Sequence, residues 1–482
     1  MKTRTIFSVA MHMWAATTMG QGNGRPALQG LTSLTLKEAV SMAIDHNFQV
    51  RQSGLQADAA KVNYDQARDN LLPALNANIN HGNNKGRSID PFTNTYVDQS
   101  LSFASYNLTG DVMLFGGLNI QRTIQQNRLA WEAGKMDLDQ LKDNTAISVL
   151  LAYYQALLNE DLLNIARNQA TLTAQQVARL EAMNKDGAIQ PATLYDLKGQ
   201  LANDQLSIVN NNNALNSAKL ALCQLVFIPF DKSLRLERDA AETTPAPYDT
   251  SATVLYQRAL EHMALVKAAD LRVASAQKAV QAARGNYFPK LWLSGSLNSN
   301  YSSLSQRGTP TNLVDISTGD YALSGVTKLD VYRPTQQYSY SKIPYGNQLK
   351  NNYNTSVGLG LRIPILNNFQ VRNQVRLAKL NEKSQENIRD NSLLQLQQQV
   401  EQASFNAQAA YDRYVASAEQ VNAFKESFRS AEVRFNAGAI NSVDYLVAKN
   451  NLDRANINLT QARYEYLFRT QVLDYYAGRK WW

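Results

Sequence analysis

Side chains able to do acid–base, nucleophilic or metal chemistry are few in this 482-residue chain, which has four histidines and one cysteine. His12 lies near the N-terminus, His81 in a polar stretch, and His46 and His262 at equivalent places in two related segments, which points to a shared structural role. Cys223, being alone, forms no intramolecular disulfide and no cysteine-based metal cluster. It falls in a heptad-patterned stretch, where a cysteine acts as a small buried hydrophobe. No cysteine stands near the N-terminus, so a lipid-anchored cysteine is not expected there. The chain has no P-loop, no GxSxG and no paired zinc-ligand motif, and nothing selects one carboxylate pair among the scattered Asp and Glu. The expectation is therefore no catalytic residue, no cofactor and no metal site. The net charge of +8 comes from dispersed Lys and Arg without aromatic interleaving, which reads as a solvated surface and not as a nucleic-acid groove.

Function must then lie in the elements themselves. Lys2 and Arg4 precede a mostly apolar run from Ile6 to Ala16 and small residues around Gly20, so residues 1–20 read as an export signal. No run of 18 apolar residues follows. A membrane location therefore requires a β-barrel.

The chain repeats itself. A shift of 216 residues lays 43–75 on 259–291, with Ala43, His46, Val50, Ala67, Arg68, Asn70 and Pro73 meeting Ala259, His262, Val266, Ala283, Arg284, Asn286 and Pro289. A shift of 251 lays 114–225 on 365–476, with Ala156, Glu181, Gly187 and Lys198 meeting Ala407, Glu432, Gly438 and Lys449. The offsets differ by 35, an insertion confined to the region after Leu291. This divides the chain into a first repeat at 21–226, a linker at 227–250 and a second repeat at 251–482 with an enlarged loop over about 300–352.

Each repeat reads as helix, strand, loop, strand, long helix, sharp turn, helix. Single helices are expected from about Leu36 to Leu71 and from about Ala252 to Tyr287, ended by Pro73 and Pro289. Alternation follows in Ala74–Asn80, Leu101–Phe115, Leu291–Asn298 and Tyr353–Ile363, apolar on one side and small or polar on the other. The second of these slips near Ala104–Ser105, where a bulge is expected. Strands of this kind suit a membrane barrel or a half-buried soluble sheet. The long polar connections His81–Ser100 and Asn300–Asn352 favour the barrel, whose long loops face outside the cell.

The long helices run from Phe115 to Gly187 and from Leu366 to Gly438, at about 1.5 Å per residue on the order of 100 Å each. Leu194, Leu201, Ile208, Leu215 and Leu222 recur every seven residues, as do Tyr445, Leu452, Leu459, Tyr466 and Leu473. That period means coiled-coil packing. Four barrel strands per chain cannot close; two copies supply eight and three supply twelve, and only the larger barrel leaves a lumen. Three are preferred.

These marks together resemble the outer membrane efflux protein family, the TolC-like channels. They are Leu34-Thr35-Leu36-Lys37-Glu38-Ala39, the helix end Leu72-Pro73-Ala74-Leu75, Phe115-Gly116-Gly117, and above all the turn from Arg434 to Leu446. The resemblance implies a mainly α fold with a membrane β-barrel contribution: a homotrimer with a 12-stranded barrel in outer-membrane lipid and a periplasmic helical tunnel. It implies an exit duct for solutes or proteins in tripartite efflux or type I secretion, met by a periplasmic adaptor (a membrane fusion protein) and an inner-membrane pump. It places a periplasmic gate at Phe435, Ile440, Asp444 and Val447, and adaptor contacts at Gly187, Ala188, Gly438 and Ala439. Asp444 has two readings, a ring of like charges around the axis or a first-turn carboxylate. Ile440, Val447 and Thr193 stand where the family carries charged gate residues, so a closed tip here rests on packing. The competing readings are an exported coiled-coil scaffold outside the membrane and a pore-forming toxin, the latter with one insertion hairpin where this chain has two pairs of strands.

Overall fold

The computed structural model describes residues 32–90, 94–98, 100–238 and 245–482, so the expected export signal at 1–20 lies outside the described residues. In chain order the elements are β1 (Ser33–Leu34), α1 (Leu36–His46), α2 (Phe48–Asp69), β2 (Ala74–Asn84), β3 (Arg87–Ile89), β4 (Tyr96–Asp98), β5 (Leu101–Phe115), α3 (Asn119–Lys185), α4 (Pro191–Val226) and β6 (Arg235–Leu236). The second repeat supplies α5 (Ala252–His262), α6 (Ala264–Gly285), β7 (Lys290–Ser302), β8 (Gln306–Ser324), β9 (Thr327–Lys342), α7 (Tyr345–Asn351), β10 (Asn354–Arg362), α8 (Gln370–Asn436) and α9 (Ser442–Tyr476). Helices α3 and α8 are each 67 residues long. No helix among the described residues is long and apolar enough to cross a membrane.

The expected single first helix is two helices in both repeats. At Asn47 the backbone turns extended (φ −66°, ψ 121°), and the Asn47 carboxamide oxygen accepts from Gln49 N–H at 2.7 Å, restarting the helix as an N-cap. Met263, 216 residues on, adopts the same conformation (φ −64°, ψ 128°) without a side-chain cap. The break belongs to the repeat and not to one side chain.

Two compact units cut across the sequence halves. The first combines the described part of Met1–Val50 with Lys142–Leu255 and Val400–Trp482. Its seams follow the heptads: Val149, Ala156, Leu163, Ala170 and Val177 are all buried, as are Leu194, Leu215, Leu222, Tyr445, Tyr466 and Leu473. One core gathers Leu34, Val40, Val149, Tyr153, Leu157, Leu222 and Leu234. There the parallel pair β1–β6 is pinned by the Tyr153 hydroxyl, which shares its proton between the carbonyls of Leu34 at 2.8 Å and Glu237 at 2.6 Å. Cys223 sits in this core, and burial pushes its thiol up.

The second unit combines Arg51–Leu141 with Tyr256–Gln399 and holds the four expected strands in one antiparallel sheet, ordered β10-β7-β5-β2. Strand β5 keeps register through Ala104 and Ser105; its irregularity lies between Met113 and Phe115. The slip in the pattern is Phe103, whose ring takes the space that a Cβ on Gly82 would fill at 2.7 Å. The expected loop after β7 is structured: β8 and β9 form a long exposed hairpin, and α7 seats it back on the sheet. Gln348 of α7 is buried, accepts from Ser302 N–H at 3.0 Å, and donates to the carbonyls of Ser302 and Ile343.

Strand passes into long helix through two consecutive left-handed residues, Gly117–Leu118 in one repeat (φ 64° and 63°) and Asn368–Phe369 in the other (φ 52° and 57°). Gly117 also permits contact with α6, since a Cβ there would lie 2.2 Å from the carbonyl oxygen of Gly285. This accounts for the Phe115-Gly116-Gly117 signature.

Candidate functional site

Two places carry the functional expectations, and each lies within one unit. The first is the pair of hairpin turns, α3 to α4 and α8 to α9. Both end in a left-handed glycine, Gly187 (φ 70°) and Gly438 (φ 71°). Ala188 N–H then bonds to the Met183 carbonyl at 2.9 Å and Ala439 N–H to that of Arg434 at 2.8 Å. This six-to-one closure satisfies the last helical carbonyls and leaves Gly187, Ala188, Gly438 and Ala439 exposed at the tips.

Behind the turns the two hairpins share a core of Val177, Leu180, Leu194, Leu197, Phe435 and Tyr445, with Ile189 and Ile440 packed against it. Phe435 stacks on Tyr445 at 4.6 Å between ring centroids. Burial pushes the Tyr445 phenol up to about 12, with Glu432, Asp453 and Asp204 adding to the effect. Phe435 and Ile440 thus hold the tip together from inside one protomer, whereas Asp444 and Val447 stand exposed one turn apart on α9. Asn441 caps that helix by accepting from Asp444 N–H at 2.8 Å. Close to the turns, polar contacts cross between the hairpins: the Ser442 hydroxyl donates to Asp196 at 2.7 Å, and Arg179 donates to the Asn436 carbonyl at 3.2 Å. A cavity of about 250 Å³ lies between the turns, lined by Arg179, Met183, Ala188, Gln190, Phe435 and Ile440.

Deeper in the same bundle is a polar node that heptad reading did not reveal. The Lys449 ammonium donates to Asp204 at 3.1 Å and to Asp453 at 2.7 Å, and Asp204 also accepts from the Thr173 hydroxyl and from Gln200. Lys449 and Asp204 expose only 4% and 7% of their side chains. Burial raises the Asp453 carboxyl above its ordinary value against the pull of Lys449. One signal was present in the sequence: Asp204 has Ala455 as its repeat equivalent, so the pair joins the hairpins asymmetrically.

The second place is the sheet. On one face Leu75, Ile79, Leu108, Val357, Leu359 and Leu361 are exposed, Val357 by 81%. Register puts them side by side with Leu293 and Leu297. The opposite face is polar over its middle, with Phe103 towards one end and Met113 and Trp292 towards the other. Asn76, Thr109, Ser296 and Ser356 form one rung across all four strands, and Asn78, Asn107, Asn298 and Asn354 form the next. Within the described chain β2 pairs only with β5, and β10 only with β7, so both edges of the sheet stay open.

The sheet has one exposed apolar face and two open edges, and its strands pass through left-handed corners into the long helices α3 and α8. The chain belongs to the outer membrane efflux protein family, whose pattern matches residues 39–226 and again 255–479, once per repeat. It is a subunit of an outer-membrane exit duct of a Gram-negative cell. CzcC of Cupriavidus metallidurans, a cobalt-zinc-cadmium resistance protein, is 22% identical over 449 residues, spanning 92% of this chain and 90% of that protein. SilC of Salmonella typhimurium, a probable outer membrane lipoprotein, is 26% identical over 276 residues, and the match spans only 56% of its length. The solved structure of CusC superposes with a TM-score of 0.71 at 15% identity, covering 92% of this chain and 91% of that one, which establishes the fold of the protomer.

Proposed function

We propose that three copies of this chain close a 12-stranded barrel in the outer membrane and continue it as a periplasmic helical tunnel, forming a passive conduit that performs no covalent chemistry. The open-edged sheet with its exposed apolar face carries this reading. Unpaired backbone groups at a strand edge are not tolerated in lipid, so β2 of one copy must pair with β10 of the next. The hairpin tips, with Gly187, Ala188, Gly438 and Ala439 outermost, receive a periplasmic adaptor that couples the duct to an inner-membrane pump. Asp444 and Val447 line the closed end, and Phe435 and Ile440 pack beneath them. The repeats at 21–226 and 251–482, joined by the linker at 227–250, act as two copies of one design.

For cargo we take divalent metal cations, on the name of CzcC and its near full-length match. Secretion of proteins through the same kind of duct is the second reading. The test is the detergent-corrected mass of the particle extracted from outer membranes. Three times the mass of the exported chain supports the shared barrel. A monomer in the soluble fraction refutes it and returns the chain to the scaffold class. Loss of metal tolerance on deletion of the gene, with drug tolerance unchanged, supports the cation cargo, and the reverse pattern overturns it.

A further inference from the structure

The polar face of the barrel sheet has an organisation that a merely wet wall does not require. Asparagine is depleted in strands. Here each of the four strands contributes one at the same height, Asn78 opposite Asn107, Asn107 opposite Asn298, and Asn298 opposite Asn354. The rung on one side is Asn76, Thr109, Ser296 and Ser356, and that on the other is Asn80, Ser105 and Asn300. Three successive rungs thus present only carboxamides and hydroxyls.

Some of this hydrogen-bonding capacity is satisfied within the sheet: Asn298 donates to the Ser296 hydroxyl at 3.1 Å, and the hydroxyls of Ser296 and Ser356 meet at 2.8 Å. The carboxamide oxygen of Asn107 is buried among its neighbours, whereas Asn78 and Asn354 on the same rung stand exposed. The nearest charge along β5 is Asp111, four residues from Asn107, or about 13 Å at strand rise. Lys290, with Arg362 opposite it, lies eight residues from Asn298, about 26 Å away. Both distances exceed the Debye length of about 8 Å at physiological salt. Along β5 and β7, then, no charge on this face stands within a Debye length of the asparagine rung.

We propose that this rung is a charge-neutral carboxamide belt on the inner wall of the barrel, twelve asparagines in the trimer. It contacts hydrated solutes by donating and accepting hydrogen bonds without preference for either sign of charge. This rests on the duct reading and adds to it: discrimination by charge is made elsewhere, and the exit segment passes hydrated cations and anions alike.

The test uses Asn298→Cys and Leu297→Cys in the full chain, where the native Cys223 is buried and gives no background. Purified particles in planar bilayers at low salt are treated with an anionic or a cationic methanethiosulfonate, and the cation-to-anion permeability ratio is read before and after. The ratio of each variant before treatment serves as its own baseline. The anionic reagent then raises the ratio and the cationic reagent lowers it, each by roughly twofold or more, three charges being added to one rung of the trimer. Leu297→Cys is neither labelled, by mass, nor shifted. Labelling of Leu297→Cys and not of Asn298→Cys would invert the faces and overturn the belt while leaving a duct. A large change in the ratio on Asn298→Cys substitution alone, before any reagent, would overturn the neutrality. A particle that conducts in no variant and labels at neither position refutes the duct reading itself, and the belt falls with it.

Discussion

Replacing Lys449 by methionine keeps the length of the side chain and removes its charge, leaving Asp204 and Asp453 in a site from which water is largely excluded. Asp204 is 7% exposed and Asp453 20% exposed, and Lys449 is the cation that both contact. Removing one partner from a buried ion pair costs about 3–5 kcal/mol, because the remaining charge loses its compensation. The expected result is therefore an increase of roughly two to three and a half powers of ten in the opening of the tip bundle. Hydrogen exchange measured by mass spectrometry on peptides around Thr173, Asp204 and Lys449 reads this locally, without requiring the whole particle to unfold in two states.

The sign of the pH dependence follows from Asp453. Burial already raises its folded carboxyl above the unfolded value, and losing Lys449 raises it further. A group of this kind contributes stability that is complete below the ordinary carboxylate range and is lost as pH rises through the raised folded value. Lys449→Met is therefore most damaging at neutral pH and recovers on acidification towards the ordinary carboxylate range, after correction for intrinsic exchange. Adding Asp204→Leu to Lys449→Met restores part of the loss, with a coupling of about 0.5–3 kcal/mol. A single variant that exchanges like the unsubstituted protein, or whose loss is independent of pH, would refute the view that this node locks the two hairpins.

Gly117→Ala places a methyl group on the Gly285 carbonyl and adds about 1–2 kcal/mol of left-handed strain, so heat-resistant oligomer recovered from membranes should fall sharply, whereas Gly199→Ala, in open space on α4, should assemble normally. Val357→Arg, on the apolar face, should cost about 2–4 kcal/mol near mid-membrane, while Ser356→Arg on the opposite face should assemble and alter conductance; equal outcomes would refute the assignment of faces. Ala439→Glu at the exposed tip should abolish export with oligomer yield unchanged, and normal export would sink the adaptor-contact proposal. Asn441→Ala removes the cap of α9 and should cost about 1 kcal/mol, measured by exchange at Ser442–Tyr445.

Periodicity makes the helices and the four sheet strands legible in the sequence. Heptads from Leu194 to Leu222 reported a coiled-coil seam because burial of one stripe is local information, and Pro73 and Pro289 marked the change of period because proline acts on its own backbone. The breaks at Asn47 and Met263 were hidden, since asparagine is common on helix faces and methionine carries no turn signature. The β8–β9 hairpin escaped because neither face is covered, so no apolar alternation is imposed on it. Of the tip residues, the turn glycines were readable from type alone. The inward packing of Phe435 and Ile440 was not, because it depends on the partner hairpin about 250 residues away. Lys449 escaped for the same reason, its charge partner Asp204 belonging to the other repeat.

The β8–β9 ribbon ends in the two-residue turn Gly325–Val326, with Val326 wholly exposed, while its attachment to the sheet is secured far away by Gln348. Root and tip are mechanically separate, so the turn is the natural place to graft foreign sequence. A short epitope or a fluorophore-accepting peptide between Gly325 and Val326 should leave the barrel undisturbed, and its detection on unbroken cells would turn the protein into a reporter of its own orientation.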